Sequence, residues 1–382
     1  MSVNTEFLAR AEAVVVGVAV ADALGGATEG WTPEQIRQRH GGPVTGIVGP
    51  YNREWATARP IAPYHKGDGH ITDDTLMTNL LIDVYAERRT HLDAYAMADG
   101  LVPLMISKVV WIPELERETI PLQRVFLAEK YLVQRLHYGH VDPREAGVGN
   151  IVNCGAAMYM APVGVVNAGD PWAAYAEAID MAGAHQLSYG REAAGVFAGA
   201  VAAALTPGAT PESVIEAAMD LSHDGTRTAI GAVVAAARQA KPGDDLNEVL
   251  RAAVAPYDSV GPDYRNQSME ARRPSRIKSI EELPVALGFV LAAGGDYREA
   301  VLGAINYGRD ADSIAVMAGA ICAALQGLDG VPDAWVTGVS EGSRLDLHAA
   351  GKVLGEVAVE ILRRDADRAR QRLSALERMG MA

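Results

Sequence analysis

The chain has 382 residues and a net charge of −14, with 49% apolar and only 6% aromatic residues. That length supports one to three domains and a large core, and so apolar a composition excludes disorder. The acidic balance is spread along the chain, which excludes a basic footprint for nucleic acid or anionic lipid. Such a protein still takes a phosphorylated ligand where metal ions supply positive charge.

The first helix is expected over residues 5–25, where Phe7, Leu8, Ala11, Val14, Val15 and Val18 recur with helical spacing. It runs into Ala21-Asp22-Ala23-Leu24-Gly25-Gly26-Ala27-Thr28-Glu29-Gly30, a stretch of small residues that permits close helix crossing. Asp22 is a carboxylate in an apolar setting, so it must be hydrogen-bonded, paired or bound to metal. Thr32-Pro33-Glu34 opens a short helix with Thr32 as cap, stopped by Gly41-Gly42-Pro43. Residues 41–70 are turn-rich and form a candidate rim over a site.

A helix follows over 73–88, capped by Thr72, with Asp73 and Asp74 in its first turn. Helical patterns continue over 91–110 and 113–137 before a break at 139–149. Asn150 and Asn153 lie in small, apolar surroundings that predict burial. Asp170-Pro171 and Thr210-Pro211 each open a helix by cap and proline. Further helices are expected at 190–205, 226–239, 246–255, 280–291, from Asp296, and at 313–325. Residues 257–281, with the basic run Arg272-Arg273-Pro274-Ser275-Arg276, read as an irregular surface excursion. An amphipathic helix over about 345–378 covers the core.

The pattern gives an all-α chain of roughly a dozen or more helices, with little strand signal and no solenoid period. Cys154 and Cys322 read as buried free thiols of a reducing compartment. No secretory signal is apparent, and the apolar runs at 13–21 and 193–205 are too short to span a bilayer. The expectation is a cytoplasmic protein with no membrane or nucleic-acid partner, as a monomer or small homo-oligomer.

Two acidic clusters carry the chemistry. Thr72-Asp73-Asp74 and Asp310-Ala311-Asp312-Ser313 each open a helix, about 230 residues apart, and both offer only oxygen ligands. Oxygen donors suit magnesium, manganese or calcium rather than zinc. Two ions about 4 Å apart would require this mixture of carboxylates and hydroxyls, with Asp312 as bridge. Their sharing of ions favours one catalytic domain over 1–382, its core at about 10–330. No nucleophile elbow, phosphate loop, zinc-protease motif or dinucleotide fingerprint occurs in a suitable context.

These motifs resemble the ADP-ribosylglycohydrolase family, all-helical enzymes related to the hydrolase that releases ADP-ribose from dinitrogenase reductase. The carrying residues are Ala21-Asp22-Ala23-Leu24-Gly25-Gly26-Ala27-Thr28-Glu29, Thr72-Asp73-Asp74-Thr75 and Gly308-Arg309-Asp310-Ala311-Asp312-Ser313, with Gly149-Asn150 and Ala161-Pro162-Val163-Gly164 between them. The resemblance implies a compact multi-helix orthogonal bundle. It also implies that Thr72, Asp73, Asp74, Asp310, Asp312 and Ser313 hold two magnesium ions, with manganese as a substitute. Asp74, Asp312 and Glu29 are the expected catalytic residues, Glu29 at the mouth. Asp22, Asn150, Asn153, Tyr159, His185 and Arg309 are the expected substrate contacts.

The implied reaction cleaves the glycosidic bond at ribose C1 of an ADP-ribosylated substrate by a metal-activated water. Three positions depart from the family pattern: Ala21 and Arg309 replace glycines, and Tyr159 replaces the arginine of a methionine-arginine pair. They leave open an N-glycoside hydrolase acting on a small nucleoside-like or ribosylated metabolite. Other classes are a non-catalytic, crystallin-like member and a phosphoester hydrolase. The partner is accordingly an ADP-ribosylated protein or a small ribosylated molecule.

Overall fold

The computed structural model describes residues 5–57, 64–258, 261, 264 and 279–381. The chain opens with α1 (Thr5–Gly26), α2 (Pro33–His40) and α3 (Asp73–Arg88). Three short helical pieces, α4 (Ala94–Ala96), a π turn (Met97–Leu101) and α5 (Val102–Ser107), lead to a hairpin of β1 (Val110–Ile112) and β2 (Arg117–Thr119). Then come α6 (Leu127–Val133), α7 (Ala161–Val166), α8 (Pro171–His185), α9 (Ser188–Ala204), α10 (Pro211–Leu221), α11 (Asp224–Gln239) and α12 (Leu246–Val254). The chain ends with α13 (Ser279–Ala292), α14 (Tyr297–Tyr307), α15 (Ala311–Gln326), α16 (Asp333–Ser343) and α17 (Leu347–Arg378).

The result is an all-α compact bundle around one hydrophobic core cluster that runs from Ala11 to Ile361. Its centre is the contact of α1 with α15. Both helices are buried on nearly all sides and rich in alanine, valine and glycine, so their axes approach closely. Gly25 marks the limit of that approach: a Cβ there would lie 2.5 Å from the Cα of Asp312.

Local chemistry sets most boundaries. Thr32 and Thr210 form capping boxes ahead of Pro33 and Pro211, and Asp170 and Asp296 cap α8 and α14 through the backbone N–H of Ala173 and Glu299. The expected helices over 91–110 and 113–137 are corrected. The first is a broken helix ending at Ser107, and the second is replaced by the hairpin, 3₁₀ turns and α6. Pro113 and Pro121 start 3₁₀ turns here, because proline supplies no N–H for a continuing helix. α16 was not anticipated. The basic run at 272–276 lies outside the described residues.

The covering helix α17 packs on α1, α3 and α7. It is fastened to the α3–α4 turn by His91, whose Nδ1 lies 2.6 Å from Glu177 and Nε2 2.9 Å from Asp365. Arg89 adds a pair to Glu360 at 2.5 Å. The hydrogen bond to Glu177 outweighs partial burial and pushes the His91 pKa up to about 9, from an ordinary 6.5. A raised folded-state pKa stabilises the fold fully below the unfolded value, and that contribution is lost as pH rises through the folded value. The urea midpoint of the wild type is therefore expected to fall between pH 6.5 and 9.5, by a margin that His91→Gln removes. Equal slopes in the two proteins would contradict the role of His91.

Candidate active site

Two chain segments converge on the acidic start of α3. The first is the end of α1, where Asp22 is fully buried. Its Oδ2 accepts the backbone N–H of Thr72 (2.9 Å) and Thr75 (3.1 Å), and its Oδ1 accepts the Thr72 hydroxyl at 2.6 Å. The Thr75 hydroxyl donates to Asp22 as well. Four donors on one carboxylate fix the start of α3 against α1 and leave Thr72 as the cap of Asp74 N–H at 3.3 Å. Despite these bonds, burial holds the Asp22 carboxyl above the ordinary range.

The second segment is the turn into α15. Gly308 sits at φ 70°, and a Cβ there would lie 1.9 Å from the carbonyl oxygen of Trp31. Arg309 N–H donates to that same oxygen at 2.9 Å, and Gly30 N–H donates to Arg309 O at 2.5 Å. Thr28 Oγ1 donates to Ile305 O at 2.6 Å. The loop carrying Glu29 is thus clasped to the turn carrying Asp310 and Asp312.

Two interlocking triads of ligand atoms result. One oxygen each from Asp22, Asp74 and Asp312 lie within 4.8 Å of one another, as do oxygens of Glu29, Asp310 and Asp312. Asp312 belongs to both. The Oδ1 of Asp74 is buried with no hydrogen-bond partner among the described residues. Burial, then the neighbouring charges of Asp22, Asp73 and Asp310, push the Asp74 carboxyl well above its ordinary value. Burial likewise raises Asp312, against the opposing charge of Lys66. Lys66 Nζ pairs with Glu29 and lies 3.8 Å from Asp312.

The cluster opens on a pocket of about 240 Å³, walled by Glu29, Asp73, Asp74, Asp310, Asp312 and Ser313 on the acidic side, with Phe126, Glu129, Asn153, Cys154 and Met158 among the facing residues. A third triad sits in the pocket's wall: the Cys154 sulfur with oxygens of Glu282 and Asp310. Cys154 Sγ donates to Asp310 at 3.1 Å and to Ser313 Oγ at 3.2 Å, and burial holds its thiol well above the usual value.

The expected residues divide by position. Asp74, Asp310, Asp312, Ser313, Glu29 and Asn153 face the pocket. Asp73 does too, but it belongs to neither acidic triad and pairs at 2.9 Å with Arg124, a fully buried guanidinium that also holds Glu114. Burial, opposed by Arg124, pushes the Asp73 carboxyl up to about 7. Thr72 spends its hydroxyl on Asp22. Asn150 donates to Ala128 O (3.0 Å) and His185 O (2.7 Å), so it ties loops together behind the wall. Tyr159 and His185 are also behind it, with the Tyr159 hydroxyl 2.9 Å from His185 Nδ1 and His185 Nε2 3.4 Å from Glu129.

Arg309 turns away from the carboxylates: its guanidinium pairs with Glu281 at 2.7 Å and Asp258 at 2.9 Å. Its φ of 56°, in the left-handed region, sets that direction. The expected direct substrate contacts of Asp22, Asn150, Tyr159, His185 and Arg309 are therefore not pocket walls; each acts on a residue that is, or on the frame. Sequence reasoning passed over Lys66, Arg124, Glu129 and Glu282. The adjacent acids Glu281-Glu282 at the head of an apolar helix were a readable signal for the last of these.

Comparison with known proteins follows the same lines. A profile of the ADP-ribosylglycohydrolase family matches residues 3–369, and the chain belongs to that family. An uncharacterized protein of Archaeoglobus fulgidus is 27% identical over 353 residues, covering 87% of this chain and 92% of its own. A chain from a solved ADP-ribosylglycohydrolase-related protein complex is 20% identical with a TM-score of 0.60, covering 93% of this chain and 100% of its own, a likeness of fold.

Two substitutions separate frame from pocket. Asp22→Ala leaves four buried donors short of an acceptor and is expected to cost on the order of 3 kcal/mol in urea unfolding. Tyr159→Phe loses one hydrogen bond, about 1 kcal/mol, and leaves substrate KM unchanged. A raised KM in Tyr159→Phe would place that hydroxyl in the pocket instead.

Proposed function

We propose that this chain is a metal-dependent hydrolase that cleaves the glycosidic bond at ribose C1 of an ADP-ribosylated substrate, with a metal-activated water as nucleophile. The observation that carries the reading is the pair of carboxylate triads sharing Asp312 at the floor of a pocket, in a chain of this family. Carboxylates pressed together in a buried place repel one another unless cations join them. The buried, unpartnered Oδ1 of Asp74 and the purely oxygen donor set fit magnesium or manganese. Asp74 and Asp312 on one side, and Glu29, Asp310 and Asp312 on the other, would hold two such ions, with Asp22 fixing the frame beside the first. Ser313 is a neutral oxygen beside them, Asp73 stands in the pocket wall on Arg124, and Thr72 supports the set from behind. When bound, the ions lower the pKa of a coordinated water and neutralise negative charge on the substrate.

The rest falls to the protein's own side chains. The water oxygen bonds to C1 as the C1–N or C1–O bond breaks, and a proton passes to the leaving atom. Glu129 is the pocket carboxylate kept ionised and so open to a proton: it is fully buried, which alone would raise it, yet His185, its Nε2 at 3.4 Å, holds it below the ordinary range. Tyr159 orients His185 and thereby Glu129. Glu29, at the pocket's edge and paired with Lys66, contacts or gates the incoming group. Phe126 and Met158 give an apolar wall that limits water.

A volume of about 240 Å³ lies under the ~300–1,000 Å³ usual for small-molecule sites, which suits a ribosyl group with the diphosphate directed outward. The same volume favours, as a second reading, a small ribosylated metabolite over a protein substrate. In either case the chain works as one catalytic unit over 1–382. Its buried free thiols fit the cytoplasm, as a monomer or small homo-oligomer. No described helix is long and apolar enough to cross a membrane.

Asp74→Asn and Asp312→Asn are each expected to lower kcat about 100-fold or more with an unchanged circular dichroism spectrum, and to lose magnesium in calorimetry. Full turnover with normal metal binding in both would overturn the site. Mass spectrometry on ADP-ribosyl-arginine, ADP-ribosyl-serine, ADP-ribose and simple nucleosides is expected to show release of ADP-ribose. Turnover of unphosphorylated ribosides alone would overturn the ADP-ribosyl assignment.

A further inference from the structure

A second cavity, of about 370 Å³, shares no lining residue with the acidic pocket. It lies along the flank of α3 from Thr75 to Asp83, between β1, the α16–α17 turn and the start of α17. Val15, Leu76, Leu80, Val110, Leu347 and Val353 give it aliphatic walls, and its volume falls in the ~300–1,000 Å³ range of small-molecule sites. Two polar side chains, Trp111 and the exposed Arg344, border this cavity. Trp111 lines it, and the Trp111 indole Nε1 is buried with no hydrogen-bond partner among the described residues.

Arg344 is the second. Its guanidinium lies 4.2 Å from the Trp111 ring centroid, and among the described residues no carboxylate pairs with it. The other charges of the wall are committed: Lys108 pairs with Asp83 at 2.5 Å, and Asp346 caps α17 through His348 N–H at 3.0 Å. A guanidinium laid on an indole has its face covered and its N–H edge available, the geometry that takes a carboxylate through two parallel hydrogen bonds.

We propose that this cavity binds a small apolar molecule bearing one carboxylate, its aliphatic or aryl body against α3 and α17 and its anionic end on Arg344. The site touches the frame of the acidic pocket. Thr75, in its wall, donates to Asp22, and Ser343, also in its wall, donates to Gly69 O at 2.8 Å and accepts Ile71 N–H at 3.0 Å. An occupant therefore braces the loop that leads into Asp73 and Asp74.

The test is binding of octanoate to the full chain, with octanol and octylamine as matched probes, followed by thermal shift and by the indole N–H resonance of Trp111, assigned with Trp111→Phe. Octanoate is expected to raise the melting temperature and move that resonance at millimolar concentration. Arg344→Gln is expected to weaken it at least tenfold. Val353→Phe, a change at a half-exposed rim position, is expected to block it with the fold retained. No response to octanoate, equal affinity for octanol, or undiminished binding by Arg344→Gln would each overturn the proposal. None of these readouts depends on turnover, so the result stands apart from the fate of the hydrolase reading.

Discussion

The structure depends on one constraint: several carboxylates are buried together where helix ends converge, and each must be held in place without being neutralised by its neighbours. Asp22 satisfies it by accepting from both Thr72 and Thr75, main chain and side chain alike. That arrangement converts a costly buried charge into the tie between α1 and α3. The α1–α15 packing then brings Asp312 to the same place, because Gly25 lets the main chain of α15 come within contact of α1. What is left over is negative charge facing a pocket, raised in pKa by burial and crowding.

This view assigns the cations of the region distinct tasks. Arg124, wholly buried, stacks at 4.4 Å on Tyr64 and 4.8 Å on Phe126 while it binds Asp73 and Glu114. It holds Asp73 in the wall and shapes the apolar side of the pocket. Arg309 serves the other side, joining Glu281 and Asp258, with Arg251 paired to the same two acids at 2.9 and 2.7 Å. Lys66 alone of these four lies beside the triads, on the Glu29 and Asp312 carboxylates.

Much of the fold was readable because helix ends are local events. A threonine or aspartate ahead of a proline or an acidic turn declares a start wherever the tertiary structure puts it, as Thr32, Thr72, Asp170, Thr210 and Asp296 did. The stretch from 91 to 137 misled because Val110, Trp111 and Ile112 fit an apolar helix stripe as well as a short strand, and pairing with 117–119 is decided across the turn at Pro113. α16 was hidden by Gly338 and Gly342, poor helix formers that are tolerated because neighbours pack against them: a Cβ at Gly342 would lie within 3 Å of Asp68 O.

In the site, the carboxylates were legible from their places at helix starts and from the family resemblance. Their partners were not, since Lys66, Arg124 and Glu129 acquire meaning only through contacts far along the chain. For the same reason the sequence could not show that Tyr159, His185 and Asn150 sit behind the pocket wall, beside Glu129 and the loop of Asn153.

The central claim is that the two acidic helix starts form a single cradle for hard cations. It is tested most directly by anomalous diffraction from crystals of the full chain soaked in manganese. The account predicts two anomalous peaks within coordinating distance of Asp312, one shared with Asp74 and the other with Asp310. Peaks elsewhere on the surface, with these carboxylates left unligated, would contradict it.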